Sequence, residues 1–116
     1  MNDLNLELYR KLCLIRKVEE KILKHYPEDD MKTPMHMSMG EEAIAVGVCS
    51  ALKKSDQIFG TYRSHAIYLA KTQDMDNFFA EMYGKGTSLL KGKGGSMHLC
   101  APDDGFMGTS AIVASA

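Results

Sequence analysis

Residues 84–98 read Gly84-Lys85-Gly86-Thr87-Ser88-Leu89-Leu90-Lys91-Gly92-Lys93-Gly94-Gly95-Ser96-Met97-His98, and the texture of the chain changes there. Five of the ten glycines fall between Gly84 and Gly95, and the stretch Lys85–Lys93 holds three lysines and no acid. This composition describes a flexible, cationic loop rich in exposed backbone. Neither common phosphate cradle fits it. A P-loop needs G-x-x-x-x-G-K-[ST], but Gly86 and Gly92 stand one residue too far apart and Lys93 is followed by Gly94. The dinucleotide fingerprint G-x-G-x-x-G fails as well, because Gly92-Lys93-Gly94 meets Met97 where the last glycine belongs. The physics still suits an anion, since glycines let amides converge and lysines add charge. A mobile surface loop is the simpler reading of the composition.

Outward from this loop the chain reads as helices. Residues 4–26 place Leu8, Leu12, Ile15, Val18, Ile22 and Tyr26 on one apolar stripe. Glu7 with Lys11, and Glu20 with Lys24, form i,i+4 pairs on a charge-rich face read as solvated. Pro27 ends the helix, and residues 27–35 read as a loop. Ser38 followed by Glu41 has capping-box spacing. It predicts a helix through Ala43, Val46, Gly47 and Leu52, ending near Lys53-Lys54, with Gly47 packed closely on another backbone. Ile58-Phe59-Gly60-Thr61-Tyr62 reads as a short strand, and residues 64–71 as a helix. Asp74 caps another helix carrying Met75, Phe78, Phe79 and Met82, stopped by Gly84. Pro102-Asp103-Asp104-Gly105 reads as a turn. The chain stops at Ile112-Val113-Ala114-Ser115-Ala116 without a polar tail, which suggests a cut inside a larger domain.

The whole chain has 116 residues, 45% of them hydrophobic and 25% charged, which fits one globular domain or part of one. Lys plus Arg is 14 against 15 for Asp plus Glu. That balance lacks the basic excess of a nucleic-acid or membrane-surface binder. No apolar run reaches the length of a membrane span, and Met1-Asn2-Asp3-Leu4 lacks the basic start of a signal peptide. These features lead to the expectation of a soluble, cytoplasmic protein. Cys13, Cys49 and Cys100 are odd in number and far apart, so they read as small buried hydrophobes rather than a disulfide framework. Met39 and Met82 read as core filler.

The histidines lack metal-ligand spacing. His25 reads as a helix C-terminal residue. His36, His65 and His98 stand at element boundaries or in loops, where sites form. Tyr62-Arg63-Ser64-His65 directly follows the strand-like segment. An arginine there can fork two donors onto a phosphate and a tyrosine can add a third.

In order along the chain stand His36-x-x-x-Gly40-Glu41-Glu42-Ala43, Tyr62-Arg63-Ser64-His65, Lys91-Gly92-Lys93-Gly94-Gly95-Ser96-Met97-His98, and Phe106-Met107-Gly108-Thr109-Ser110-Ala111-Ile112-Val113. Together they resemble the N-terminal part of the alpha subunit of the E1 component of 2-oxoacid dehydrogenases, the pyruvate, branched-chain and acetoin dehydrogenase family. The resemblance runs from about Leu6 to the last residue. It implies an α/β fold: the mostly helical N-terminal segment of a thiamine-diphosphate-binding domain, with the parallel sheet largely missing and the chain truncated before the magnesium motif. By resemblance, Tyr62 and Arg63 contact the diphosphate of the cofactor. Ala111 and Val113 hold its aminopyrimidine, and His36 faces the substrate carboxylate. His65 and His98 match family histidines that order the second layer or the loop, and Gly92–Ser96 lies near the active-site entrance. The cofactors implied are thiamine diphosphate and Mg2+, whose ligands lie outside this chain, as does the carboxylate that activates the aminopyrimidine.

The implied activity is oxidative decarboxylation of a 2-oxo acid with acyl transfer to a lipoyl group. The implied partners are an E1 beta-type subunit, in an alpha2beta2 heterotetramer, and a lipoyl-bearing E2. Many relatives carry Gly where Ala111 and Ala114 stand. Two alternatives remain open: acetoin-type cleavage on the same scaffold, and a non-catalytic remnant that only docks to a partner subunit.

Overall fold

A computed structural model of the chain describes residues 2–110. The first helix, α1, spans Asp3–His25, and the Asn2 side chain caps it by accepting the Asn5 N–H at 2.8 Å. Ile15, Val18 and Ile22 are buried as the stripe requires, with Leu8 and Leu12 packed half-buried beside them. Tyr26 departs from the stripe: it is exposed, and its hydroxyl donates to the Thr33 carbonyl at 3.1 Å. On the wet face Glu7 and Lys11 pair at 3.3 Å, whereas no ion pair joins Glu20 to Lys24 among the described residues. The larger departure is Glu19, a fully buried carboxylate between Val18 and Ile22. Pro27 sits in a 3-10 turn, Tyr26–Glu28, that ends the helix, and Met31 anchors the loop after it in the core.

Helix α2, Glu42–Ser50, is shorter than the sequence pattern predicts, and its capping box does not form. The Ser38 hydroxyl instead accepts the Ala66 N–H from a later helix at 3.4 Å. Glu42, rather than Glu41, is the buried acid here: Arg16 Nε donates to it at 2.5 Å and the Gly40 N–H at 2.8 Å. The Arg16 hydrogen bond holds the Glu42 carboxyl below its ordinary range, against the opposing effect of burial. Open space surrounds Gly47, so the close packing expected there is absent. Met39 is exposed, not core, whereas Met82 is buried.

Strand β1, Ile58–Gly60, leads through α3, His65–Thr72, and α4, Met75–Met82, to strand β2, Phe106–Thr109. The two strands are parallel, with Ile58 opposite Phe106 and Gly60 opposite Thr109, and the register shifts between Ile58 and Phe59. The helices thus form the crossover that a parallel pair needs. The fold is mixed and mostly helical, with a two-stranded parallel sheet among the described residues. Asp74 caps α4 by accepting the Asn77 N–H at 3.0 Å, and Gly84 turns the chain away with φ 67°. Phe78 centres the core, edge-on to His65 at 5.1 Å and to Phe79 at 5.4 Å. Beside it, burial pushes the Tyr68 phenol up to about 12. No helix among the described residues is long and apolar enough to cross a membrane.

The Gly-rich segment is a series of turns closed around one side chain. Glu81 projects from α4 and accepts the N–H groups of Gly94 (2.6 Å), Gly95 (3.0 Å) and Gly92 (3.1 Å), together with the Ser88 hydroxyl. The amides converge on an anion, and the anion is the protein's own carboxylate. Burial alone would push that carboxyl up. The Ser88 hydroxyl and the three amides outweigh it and hold the group below the usual range. Gly92 makes the wrapping possible: at φ 75°, a Cβ there would lie 2.5 Å from the Gly84 carbonyl carbon and oxygen.

Candidate active site

Tyr62 and Arg63 lie just past the carboxyl end of β1, both partly buried. The Arg63 N–H donates to Thr61 Oγ1 at 3.2 Å, and its guanidinium Nη1 donates to the Met37 carbonyl at 2.5 Å. That bond brings the loop after α1 against the turn after β1. The His36 and Tyr62 rings meet edge to face, 5.1 Å apart at 82°. His36 Nδ1 is buried without a hydrogen-bond partner among the described residues. The ring contact and the Met37 carbonyl thus tie His36, Tyr62 and Arg63 into one polar wall past the end of β1.

Beneath this wall lies a second polar layer. His65, the first residue of α3, is fully buried; its Nδ1 is 2.8 Å from Glu19 Oε1 and its Nε2 is 2.5 Å from Ser96 Oγ. Ser96 Oγ also accepts the His36 N–H at 3.2 Å, and the Ser96 N–H donates to Thr33 Oγ1 at 3.0 Å. The Gly-rich segment therefore reaches the site through Ser96. His98 does not: it is exposed, with no side-chain bond to these groups among the described residues. Ala111 and Val113 lie outside the described residues. Ser110, just before them, donates its N–H to the Gly60 carbonyl at 2.9 Å, which brings the chain to the end of β1.

The sequence singles out neither Glu19 nor the Met37 carbonyl, and Ser96 only as the end of the Gly92–Ser96 segment. Glu19 does have a signal: with Ile15, Val18 and Ile22 it falls at i, i+3, i+4, i+7, an acid inside the apolar stripe. The Met37 carbonyl has none. Among the described residues no three His, Cys, Asp or Glu side chains gather as a metal site. Cys13, Cys49 and Cys100 are free thiols, each partly buried. A cleft between α1 and the end of α3, lined by Leu6, Arg10, Leu14, Leu69 and others, shares no residue with this site.

A phenol and an imidazole thus meet just past the carboxyl end of a parallel strand, with a guanidinium tied to the same loop. Comparison with known proteins makes this specific. The family model for the dehydrogenase E1 component matches residues 10–116. The alpha subunit of acetoin:2,6-dichlorophenolindophenol oxidoreductase from Bacillus subtilis is 43% identical over 106 residues, 91% of this chain and 32% of that protein. The pyruvate dehydrogenase E1 component subunit alpha of Rhizobium meliloti is 38% identical over 109 residues, 94% of this chain and 31% of that protein. Its mitochondrial counterpart from Saccharomyces cerevisiae is 37% identical over 108 residues, 93% of this chain and 25% of that protein. The chain belongs to the dehydrogenase E1 component family, and it spans a third or less of the length of these curated relatives.

Proposed function

We propose that this chain forms the diphosphate-side wall of a thiamine diphosphate site in an E1 alpha-type 2-oxoacid dehydrogenase. The observation that carries the reading is the convergence of Arg63, Tyr62 and the unpartnered His36 Nδ1. The residues present fit the organic cofactor: Arg63 forms one bond, to Met37, and no other from its guanidinium among the described residues, so further donors of its fork can face a diphosphate. Mg2+ belongs to the same proposal, with its protein ligands supplied from outside this chain. When bound, thiamine diphosphate supplies a nucleophilic thiazolium carbon and an electron sink for decarboxylation.

In this reading the chain's own groups bind and orient. Arg63 offsets diphosphate charge, and Tyr62 Oη donates to a phosphate oxygen. His36 faces the substrate carboxylate. Ala111 and Val113 would complete the aminopyrimidine side, and the Ser110 bond to Gly60 supports that closeness. The β-type subunit of an alpha2beta2 assembly, a lipoyl-bearing E2 and a cytoplasmic location belong to the same proposal, although several relatives are mitochondrial by name.

The test uses the complete alpha chain assembled with its beta-type partner. Arg63→Ala is expected to weaken thiamine diphosphate binding about tenfold or more, because a charge-assisted fork is lost. Calorimetric titration giving an unchanged affinity would refute the assignment. The Bacillus subtilis relative favours a second reading, acetoin cleavage. Turnover of acetoin but not pyruvate by the same assembly selects it.

A further inference from the structure

The deepest polar feature of the molecule is the line Glu19–His65–Ser96, which joins four separate segments. Glu19 comes from α1, His65 from the start of α3, Ser96 from the Gly-rich turns, and His36 from the loop after α1. Glu19, His65 and Ser96 are all fully buried, so none can touch a ligand directly. Donor counting orders the line. The Glu19 carboxylate can only accept, so His65 carries its hydrogen on Nδ1. In that tautomer Nε2 bears no hydrogen and accepts the Ser96 O–H, while Ser96 Oγ accepts the His36 N–H. Among the side chains of these four residues, Glu19 Oε2 and His36 Nδ1 have no partner among the described residues. The line continues through the backbone: the residue after His36 is Met37, whose carbonyl holds the Arg63 guanidinium.

We propose that Ser96, oriented by His65 and Glu19, is a positioning residue for Arg63: it fixes the His36-Met37 backbone, and that backbone aims the guanidinium. This rests on the reading that Arg63 grips a diphosphate. Ser96→Ala removes the acceptor for the His36 amide and deletes one oxygen. His65 offers a finer tool. Gln at 65 places its amide near the Nε2 position, toward Ser96. Asn places it near the Nδ1 position, toward Glu19. Both remove the ring from a buried site, so a purely structural role predicts similar losses from the two.

The experiment measures thiamine diphosphate affinity by calorimetry and hydrogen exchange of the peptide covering residues 31–40, both on the complete alpha chain with its beta-type partner. Ser96→Ala and His65→Asn are each expected to weaken thiamine diphosphate about fivefold and to speed exchange of that peptide. His65→Gln is expected to stay within about twofold of wild type. Adding Ser96→Ala to Arg63→Ala should cost nothing further, because the aimed group is gone. Additive losses in that cycle, equal losses for Gln and Asn, or unchanged exchange in Ser96→Ala would each overturn the proposal while leaving the cofactor reading intact. Unchanged affinity in Arg63→Ala alone would overturn both.

Discussion

The Glu81 carboxylate accepts three backbone amides and a serine hydroxyl, and the shape of the Gly-rich turns follows from that one group. Glu81→Gln replaces one carboxylate oxygen with an amide nitrogen that cannot accept. The two donors that shared that oxygen then lose their bond to residue 81, and the variant should be less stable by about 2 kcal/mol at neutral pH, read by urea denaturation. The pH dependence follows from the direction of the shift. The folded-state value lies below the ordinary 4.5, so this stabilisation is complete above that value and fades as pH falls through the folded one. Wild type should lose stability on acidification below about pH 4.5 more steeply than the Gln variant. Parallel acid limbs for the two proteins would remove Glu81 from this role.

At the scale of elements, Phe78 joins α4 to α3 and packs against the ring of His65. Phe78→Ala opens a cavity at a fully buried position and should cost about 3–5 kcal/mol in the same measurement. A loss under 1 kcal/mol would mean that the crossover helices are held by other contacts. The helices themselves were legible from sequence wherever one local pattern sufficed: the stripe of α1, the Asp74 cap and Gly84 at the end of α4. Prediction failed where a distant partner competes with a local one. The Ser38 hydroxyl serves Ala66 rather than its own helix, and Glu42 turns to Arg16. The Gly-rich run was readable as a collector of anions, but its occupant stands on a different helix and sequence spacing does not report it. For the candidate site, family resemblance names Tyr62, Arg63 and His36, and the structure brings the His36 and Tyr62 rings together. Their meeting rests on the Met37 carbonyl and Ser96, contacts that depend on the folded path of the chain.

Across the whole molecule, apolar surface remains uncovered on α2 and β1. Ile44 is 72% exposed, Val48 55% and Phe59 75%. Ile44 and Val48 stand one turn apart on the same face. The 116-residue chain by itself is therefore expected to self-associate, and the double variant Ile44→Glu, Val48→Glu to relieve it. Sedimentation velocity over a range of concentrations decides this, and a monomeric wild type throughout would count against it. The parallel pairing of β1 with β2 bears on synthesis. Ile58 waits for Phe106, 48 residues further along, so a chain growing on the ribosome carries β1 unpaired while that whole stretch is made. For that interval the bare edge of β1 is open to wrong partners, and the pair can zip only after α3, α4 and the Gly-rich turns have emerged.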